Sequence, residues 1–285
     1  MRRTLSLFAL LLTILVLPAS AQAAPRVVAL TPFGANTLAK LGVKPVAVGQ
    51  TLGGRERLSP KLKGVTVLPL SHPNGPNLEQ LASLEPDIVL SSPTWAKGNE
   101  SMVDLGIKVL IREPTRLRES YSQTLSIGKL VGKSQAAKAL VKSMKKRVAK
   151  VRRDIGSRPR VMLILGVGRT PFVFLSNSWG GDLVTKAGGE LLTGGVESSS
   201  GFERIADEVV VAENPDVIIA VPHAEEDDIP SLAEYLRTNP AWAGTNAVEN
   251  DRIYISVDNS LLQAGTDAAH TILKIRRSYL DNWPG

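Results

Sequence analysis

Two stretches of this chain, 129 residues apart, carry the same punctuation. In the first, Glu79 precedes Pro86-Asp87-Ile88-Val89-Leu90 and Pro93; in the second, Glu208 precedes Pro215-Asp216-Val217-Ile218-Ile219 and Pro222. Each unit opens with proline and aspartate and runs into a short apolar, β-branched stretch, the pattern of a strand buried on both faces. Each glutamate lies one short helix ahead of its strand. One such match would be noise. Several at a single offset point to two regions of similar build.

The rest of the chain fits that plan. Residues 24–117 alternate apolar runs with helical stretches. Strands are expected at Arg26 to Leu30, Pro45 to Val48, Val65 to Leu68, Asp87 to Leu90 and Lys108 to Ile111, as in a parallel sheet with crossovers. Residues 158–285 resume the alternation, with strands at Arg160 to Leu165, Asp216 to Ala220 and Arg252 to Ser256 and a closing helix over Leu261 to Leu280. Between them, residues 118–157 hold no proline and no strand pattern. There Leu140, Met144, Val148, Val151 and Ile155 recur at helical spacing. Lys142, Lys145, Lys146, Arg147, Lys150, Arg152 and Arg153 surround them as a solvated basic face, and Gly156 and Pro159 end the helix. The expected fold class is α/β: two Rossmann-like lobes with central, mainly parallel sheets joined by a single long α-helix. Two lobes leave a cleft, a favoured place for a ligand. A stiff helical connection permits little hinge closure, so the cleft is expected to be largely pre-formed.

The N-terminus reads as a leader. Arg2 and Arg3 precede Leu5 to Leu17, an uncharged, mostly apolar run of 13 residues. A membrane-spanning helix needs about 20 apolar residues. Pro18 breaks the run, and Ala21-Gln22-Ala23 offers small residues where a signal peptidase cuts, so residues 1–23 are expected to leave after Ala23. Loss of the two leader arginines lowers the formal net charge from +7 to +5. The chain has no cysteine, which excludes both disulfides and a lipid-bearing leading cysteine. A protein free in a periplasm follows, expected as a monomer. The basic residues are not interleaved with aromatics, so nucleic acid is not an expected partner.

Few motifs suggest chemistry. Gly166-Val167-Gly168 follows a strand like the start of a dinucleotide turn, but Pro171 stands where a third glycine belongs and no clear helix follows. A loop at the cleft is the better reading, with Arg169 able to meet an anion. Ser91-Ser92-Pro93 lacks the glycines of a nucleophile elbow. No catalytic residue, metal site or cofactor is expected. His72 and His223 sit in loops that can face the cleft, and two imidazoles there can meet a chelated metal; without a third ligand they make an incomplete set. His270 falls in the closing helix as a structural residue. Trp95 follows the strand Asp87 to Leu90, at the strand end where such folds place ligand loops, and can stack on a planar chelate. Trp179 precedes a helix start, and Trp242, in Asn239-Pro240-Ala241-Trp242, is expected to anchor a helix end. Asn77 caps the helix that carries Glu79.

At these residues the chain resembles the periplasmic iron-chelate and vitamin B12 binding proteins. The resemblance runs over nearly all of the chain after the leader. It rests on Arg26-Val27-Val28-Ala29-Leu30-Thr31-Pro32, on Leu41-Gly42-Val43-Lys44-Pro45-Val46-Ala47-Val48-Gly49, and most strongly on Asn77-Leu78-Glu79 leading to Glu85-Pro86-Asp87. Ala187-Gly188-Gly189-Glu190 and Asn239-Pro240-Ala241-Trp242 support it. It implies two helix-bridged lobes, no catalysis, and Glu79 and Glu208 docking the lobes onto arginines of a dimeric ABC permease. Corrinoid binders of the family carry a tryptophan near the position of Pro73, and ferric-hydroxamate binders an arginine there; this chain has neither. Haem binders supply a tyrosine or histidine from a cleft loop, a role open to His72. The expected cargo is a ferric siderophore, with haem or a corrinoid as the alternative. The expected cleft residues are Phe33, His72, Asn74, Trp95, Arg169, Phe172, Trp179, His223 and Asp258. The rival classes are a zinc or manganese carrier using His72, His223 and Asp258, an exported enzyme, and a structural protein.

Overall fold

A computed structural model describes residues 24–50, 58–151, 158–224, 226–257, 260–265 and 267–281. The expected leader and its cleavage point after Ala23 lie outside the described residues, as does Asp258.

The first lobe contains β1 (Val27–Ala29), α1 (Pro32–Lys40), β2 (Ala47–Gly49), β3 (Thr66–Leu68), the small hairpin β4 (Leu70–Ser71) and β5 (Gly75–Pro76), α2 (Leu78–Ala82), β6 (Ile88–Ser91), α3 (Ala96–Asp104) and β7 (Lys108–Ile111). Its main sheet has the order β3-β2-β1-β6-β7, with every pair parallel. Two helices follow, α4 (Leu117–Leu130) and α5 (Ser134–Val151). The second lobe contains β8 (Arg160–Val167), β9 (Thr170–Phe174), α6 (Trp179–Ala187), β10 (Glu190–Leu192), β11 (Phe202–Arg204), α7 (Asp207–Glu213), β12 (Val217–His223), α8 (Ile229–Arg237), α9 (Asn246–Glu249), β13 (Ile253–Ile255) and α10 (Ala268–Ile275). Strands β10, β8, β12 and β13 are parallel, and β9 and β11 add an antiparallel flap.

Strand alternation explains the layering. In β8, Val161, Leu163 and Leu165 face one apolar cluster, while Met162 and Ile164 face another. In β6, Ile88 and Leu90 join the same first cluster and Val89 turns the other way. That first cluster contains residues of both lobes, from Val27 and Leu38 to Ile219 and Ile272. A shared core of this kind resists movement of one lobe against the other.

The repeated punctuation has a physical basis. Asp87 accepts from the Arg26 backbone N–H at 2.7 Å, and Asp216 accepts from that of Arg160 at 2.9 Å. The Arg26 side chain donates to the Leu84 and Glu85 carbonyls, and that of Arg160 to the Asn214 carbonyl. Glu85 (φ 44°) and Asn214 (φ 42°) occupy the same left-handed position after α2 and α7. Each lobe therefore ties its glutamate-bearing helix to its first strand with one aspartate and one arginine. Asp216→Ala is expected to cost about 1.5–3 kcal/mol, the range for hydrogen bonds to a charged group, read as a lower urea midpoint.

Three elements depart from expectation. The single long helix over 118–157 is two helices. Gly132 takes φ +68°, and Lys133 N–H donates back to the Gly128 carbonyl at 2.6 Å, which closes α4. Gly128 also lets α5 approach, since a Cβ there would lie 2.2 Å from that of Ala137. Helix α5 buries Ala137, Val141, Met144 and Val148 and exposes its lysines. Gly166-Val167-Gly168 belongs to a tight β-hairpin, with β8 turning directly into β9, rather than to the expected loop at the cleft. The closing helix begins at Ala268, where Asp267 caps it by accepting from His270 N–H. Leu261 to Ala264 are left outside any helix.

Candidate ligand cleft

The C-terminal ends of β6, β7 and β12 open onto one cavity of about 280 Å³ between the lobes. This is the end of a parallel sheet where loops can converge on a ligand. The first lobe contributes His72 from the β4–β5 hairpin, Pro93, Thr94 and Trp95 after β6, and Glu113, Pro114 and Thr115 after β7. The second contributes Ser178 and Trp179 at the start of α6, Ser200, Phe202, His223 at the end of β12, and Leu262, Gln263 and Ala264.

Trp95 is held by close packing. It is 4% exposed, and its ring lies 6.5 Å from that of His72 at 59°. Gly75 (φ +71°) brings the hairpin against Trp95, and Gly98 of α3 lets the Asn74 carbonyl approach so closely that a Cβ would meet it at 2.1 Å. Gly98→Ala is thus expected to push the hairpin, and His72 with it, off the cleft. Overpacking of this kind costs about 1–3 kcal/mol, checked by thermal melting. On the opposite wall, Ser178 caps α6 by accepting from Gly181 N–H at 3.1 Å, and Trp179 Nε1 donates to the Ser260 carbonyl at 3.1 Å.

The cleft also holds an acid. Ser92 donates its hydroxyl hydrogen to Glu113 and accepts from Thr94 N–H at 3.0 Å. Asn99 Nδ2 fixes the Ser92 carbonyl at 2.8 Å. Burial pushes the Glu113 carboxyl above the usual carboxylate range, and the Ser92 hydrogen bond opposes this only in part. The remaining polar lining is hydroxyl, amide and imidazole, and no lysine or arginine lines the cavity among the described residues.

Of the expected cleft residues, the structure brings His72, Trp95, Trp179 and His223 together around this cavity. Four others lie elsewhere. Phe33 is fully buried, because eight of the nine residues of α1 are buried in the core. Asn74 is exposed in the hairpin turn between β4 and β5. Arg169 is carried outward by the β8–β9 turn, where its guanidinium lies 5.0 Å from the centre of the Tyr235 ring. Phe172 is half-buried in β9, opposite Leu165 and Arg204. Glu113 was not anticipated, although its strand was. The strand-end argument applied to Trp95 also selects Glu113-Pro114-Thr115. Nothing in the sequence marks Phe202, which arrives on an antiparallel strand. Among the described residues, no group of three or more His, Asp or Glu side chains is placed to hold a metal ion. Glu79 and Glu208 are both exposed in the first turns of α2 and α7.

Comparison with known proteins places this arrangement. The model of the family described as "Periplasmic binding protein" matches residues 27–258. A cobalamin-binding protein of Halobacterium salinarum is 30% identical over 234 residues, 78% of this chain and 62% of that protein. The chain thus spans less than two thirds of that relative's length. An ABC transporter substrate-binding protein from Listeria monocytogenes EGD-e superposes with a TM-score of 0.78 at 23% identity, over 91% of this chain and 100% of the other. Staphylococcus aureus IsdE complexed with heme superposes with a TM-score of 0.73 at 23% identity, over 88% of this chain and 97% of the other. Both structural likenesses carry the fold alone. The family match spans both sheets and most of the cleft lining, and the chain belongs to the periplasmic binding protein family.

Proposed function

We propose that this chain is the exported substrate-binding component of an ABC importer, and that its cleft captures a neutral, metal-centred chelate of the corrinoid class. The observation that carries this reading is the cleft lining. Aromatic side chains from both lobes line it, its polar lining is hydroxyl, amide and imidazole apart from the Glu113 carboxyl, and no lysine or arginine lines it among the described residues. Carboxylates of a chelate such as haem or ferric citrate that enter the cavity meet no lysine or arginine among the described residues, and burying them unpaired costs several kcal/mol per ion. A corrinoid presents amides and a ring edge that suit aromatic and polar walls. The named function of the Halobacterium relative agrees. The siderophore expectation narrows accordingly to neutral ferric hydroxamates. A cavity of about 280 Å³ grips an edge of such a ligand and leaves the rest outside. The reading assigns capture and delivery rather than turnover.

Delivery falls to Glu79 and Glu208. Both are exposed, one on each lobe, on helices tied to their sheets in the same way. Two acids so placed suit a two-fold permease with basic sockets.

Isothermal titration against cyanocobalamin, ferrichrome, haemin and ferric citrate tests the ligand class. Cyanocobalamin is expected to bind at least about tenfold more tightly than either anionic chelate, a gap of roughly 1.4 kcal/mol. Tighter binding of haemin or ferric citrate would sink the reading.

A further inference from the structure

Glu113 is the acid in the cleft wall among the described lining residues. Its position is built. Ser92 donates to one carboxyl oxygen, Ser92 is itself held by Thr94 and Asn99, and Pro114 follows directly. The other oxygen, Oε1, takes part in no hydrogen bond with the described residues and is not sealed within the wall. No ion pair reaches the carboxyl among the described residues. The nearby charges are engaged elsewhere. Arg112 turns its guanidinium to the Ile111 carbonyl and Ser126, and Asp182 of α6 pairs with Lys186 and accepts from Leu117 N–H. The other titratable side chains lining the cavity are His72, from the hairpin, and His223, from β12.

An acid in a cleft with no lysine or arginine in its lining among the described residues has two states with opposite consequences. With its proton, Oε1 is a hydroxyl donor facing the ligand. Without it, the site holds a negative charge that an entering ligand would strip of water. We propose that Glu113 is a specificity-determining residue that binds ligand in its protonated form, donating to a carbonyl-type acceptor on a neutral chelate and coupling capture to uptake of one proton from solvent. The inference rests on the reading of the cleft as a chelate site. Burial, which already favours the proton in the free protein, deepens when a ligand covers the carboxyl, so both effects act in the same direction. The corresponding carboxylate would repel ligands with anionic rims, which adds to their exclusion.

Two measurements on the full chain test this. The affinity for cyanocobalamin, with ferrichrome as a second neutral probe, is measured across the titration range of the carboxyl. Wild type is expected to lose about tenfold in affinity per pH unit above that titration, the signature of one proton bound with the ligand. Glu113→Gln, which keeps a donor at every pH, is expected to hold a constant affinity. The same slope in E113Q would overturn the proposal and assign the proton to His72 or His223; a flat wild-type profile would overturn it too. Failure of both chelates to bind either protein would instead refute the ligand class, and the proposal with it. The second measurement is thermal melting of the ligand-free proteins. A carboxyl whose pKa is raised by folding contributes stability at low pH that is lost as pH rises through its folded value. Wild type should show that loss and E113Q should not; equal profiles would count against a proton on Glu113.

Discussion

Replacing Glu79 and Glu208 together with alanine is expected to abolish importer-dependent uptake while leaving ligand affinity within about twofold of wild type. Both carboxylates are exposed in first helical turns, and neither lines the cavity. In the free protein each is solvated, so its removal costs little stability. In a docked complex each would be desolvated against a basic partner. If each pair contributes about 2 kcal/mol, losing both weakens docking roughly a thousandfold. Single variants should fall between, and Glu79→Lys with Glu208→Lys should be worse than the alanines. Transport assays in reconstituted vesicles, paired with titration of the soluble variant, separate the two effects. A double variant that transports normally would remove the docking role, and one that loses ligand affinity would move these residues into the binding site.

Trp242→Ala is expected to be the most destabilising single change, at about 3–5 kcal/mol, or roughly 10 °C in melting temperature. The side chain is fully buried in the cluster formed with Ile218, Ala220 and Val210. Its Nε1 donates to Asp207 at 2.6 Å, and Asn239 donates to the same oxygen at 3.3 Å. Asp207 begins the helix that carries Glu208. The substitution therefore opens a cavity and frees the start of α7 at once. Trp242→Phe keeps most of the volume and leaves Asp207 short of one donor, at about 1–3 kcal/mol. Urea melts should rank wild type above Phe and Phe above Ala. If Trp242→Phe matched Trp242→Ala, the hydrogen bond rather than the packing would carry the effect.

The two-lobed plan was legible in the sequence because its punctuation does physical work twice. Asp87 and Asp216 close the same hydrogen bond in each lobe, and Glu85 and Asn214 take the same left-handed turn. Trp242 as a helix anchor was legible for a similar reason, since Asn239-Pro240 marks a capped turn just before it. The placement of Trp95 beside the cavity was legible because its loop leaves the end of a parallel strand. The cleft was illegible where the chain reverses. An antiparallel hairpin at Gly168 looks like a cleft loop until the register of β9 is known, and so Arg169 was placed wrongly. Phe33 illustrates a different failure. Apolar residues after β1 suit a cleft wall as well as a core, and only the burial of α1 beneath the sheet separates them. The break at Gly132 was visible as a glycine, but residues 118–157 hold no proline to mark it.

The central claim is that a neutral chelate enters between the lobes and lies against tryptophans of both. Fluorescence titration with cyanocobalamin addresses it most directly, because Trp95 and Trp179 face the cavity from opposite lobes while Trp242 is buried within the second. Saturable quenching is expected in wild type, reduced by part in Trp95→Phe and in Trp179→Phe, and reduced to the weak residual signal of the remaining tryptophans when both are replaced and the fold is retained. Full quenching in the double variant, or saturable binding with no change in tryptophan emission, would contradict the placement of the ligand in this cleft.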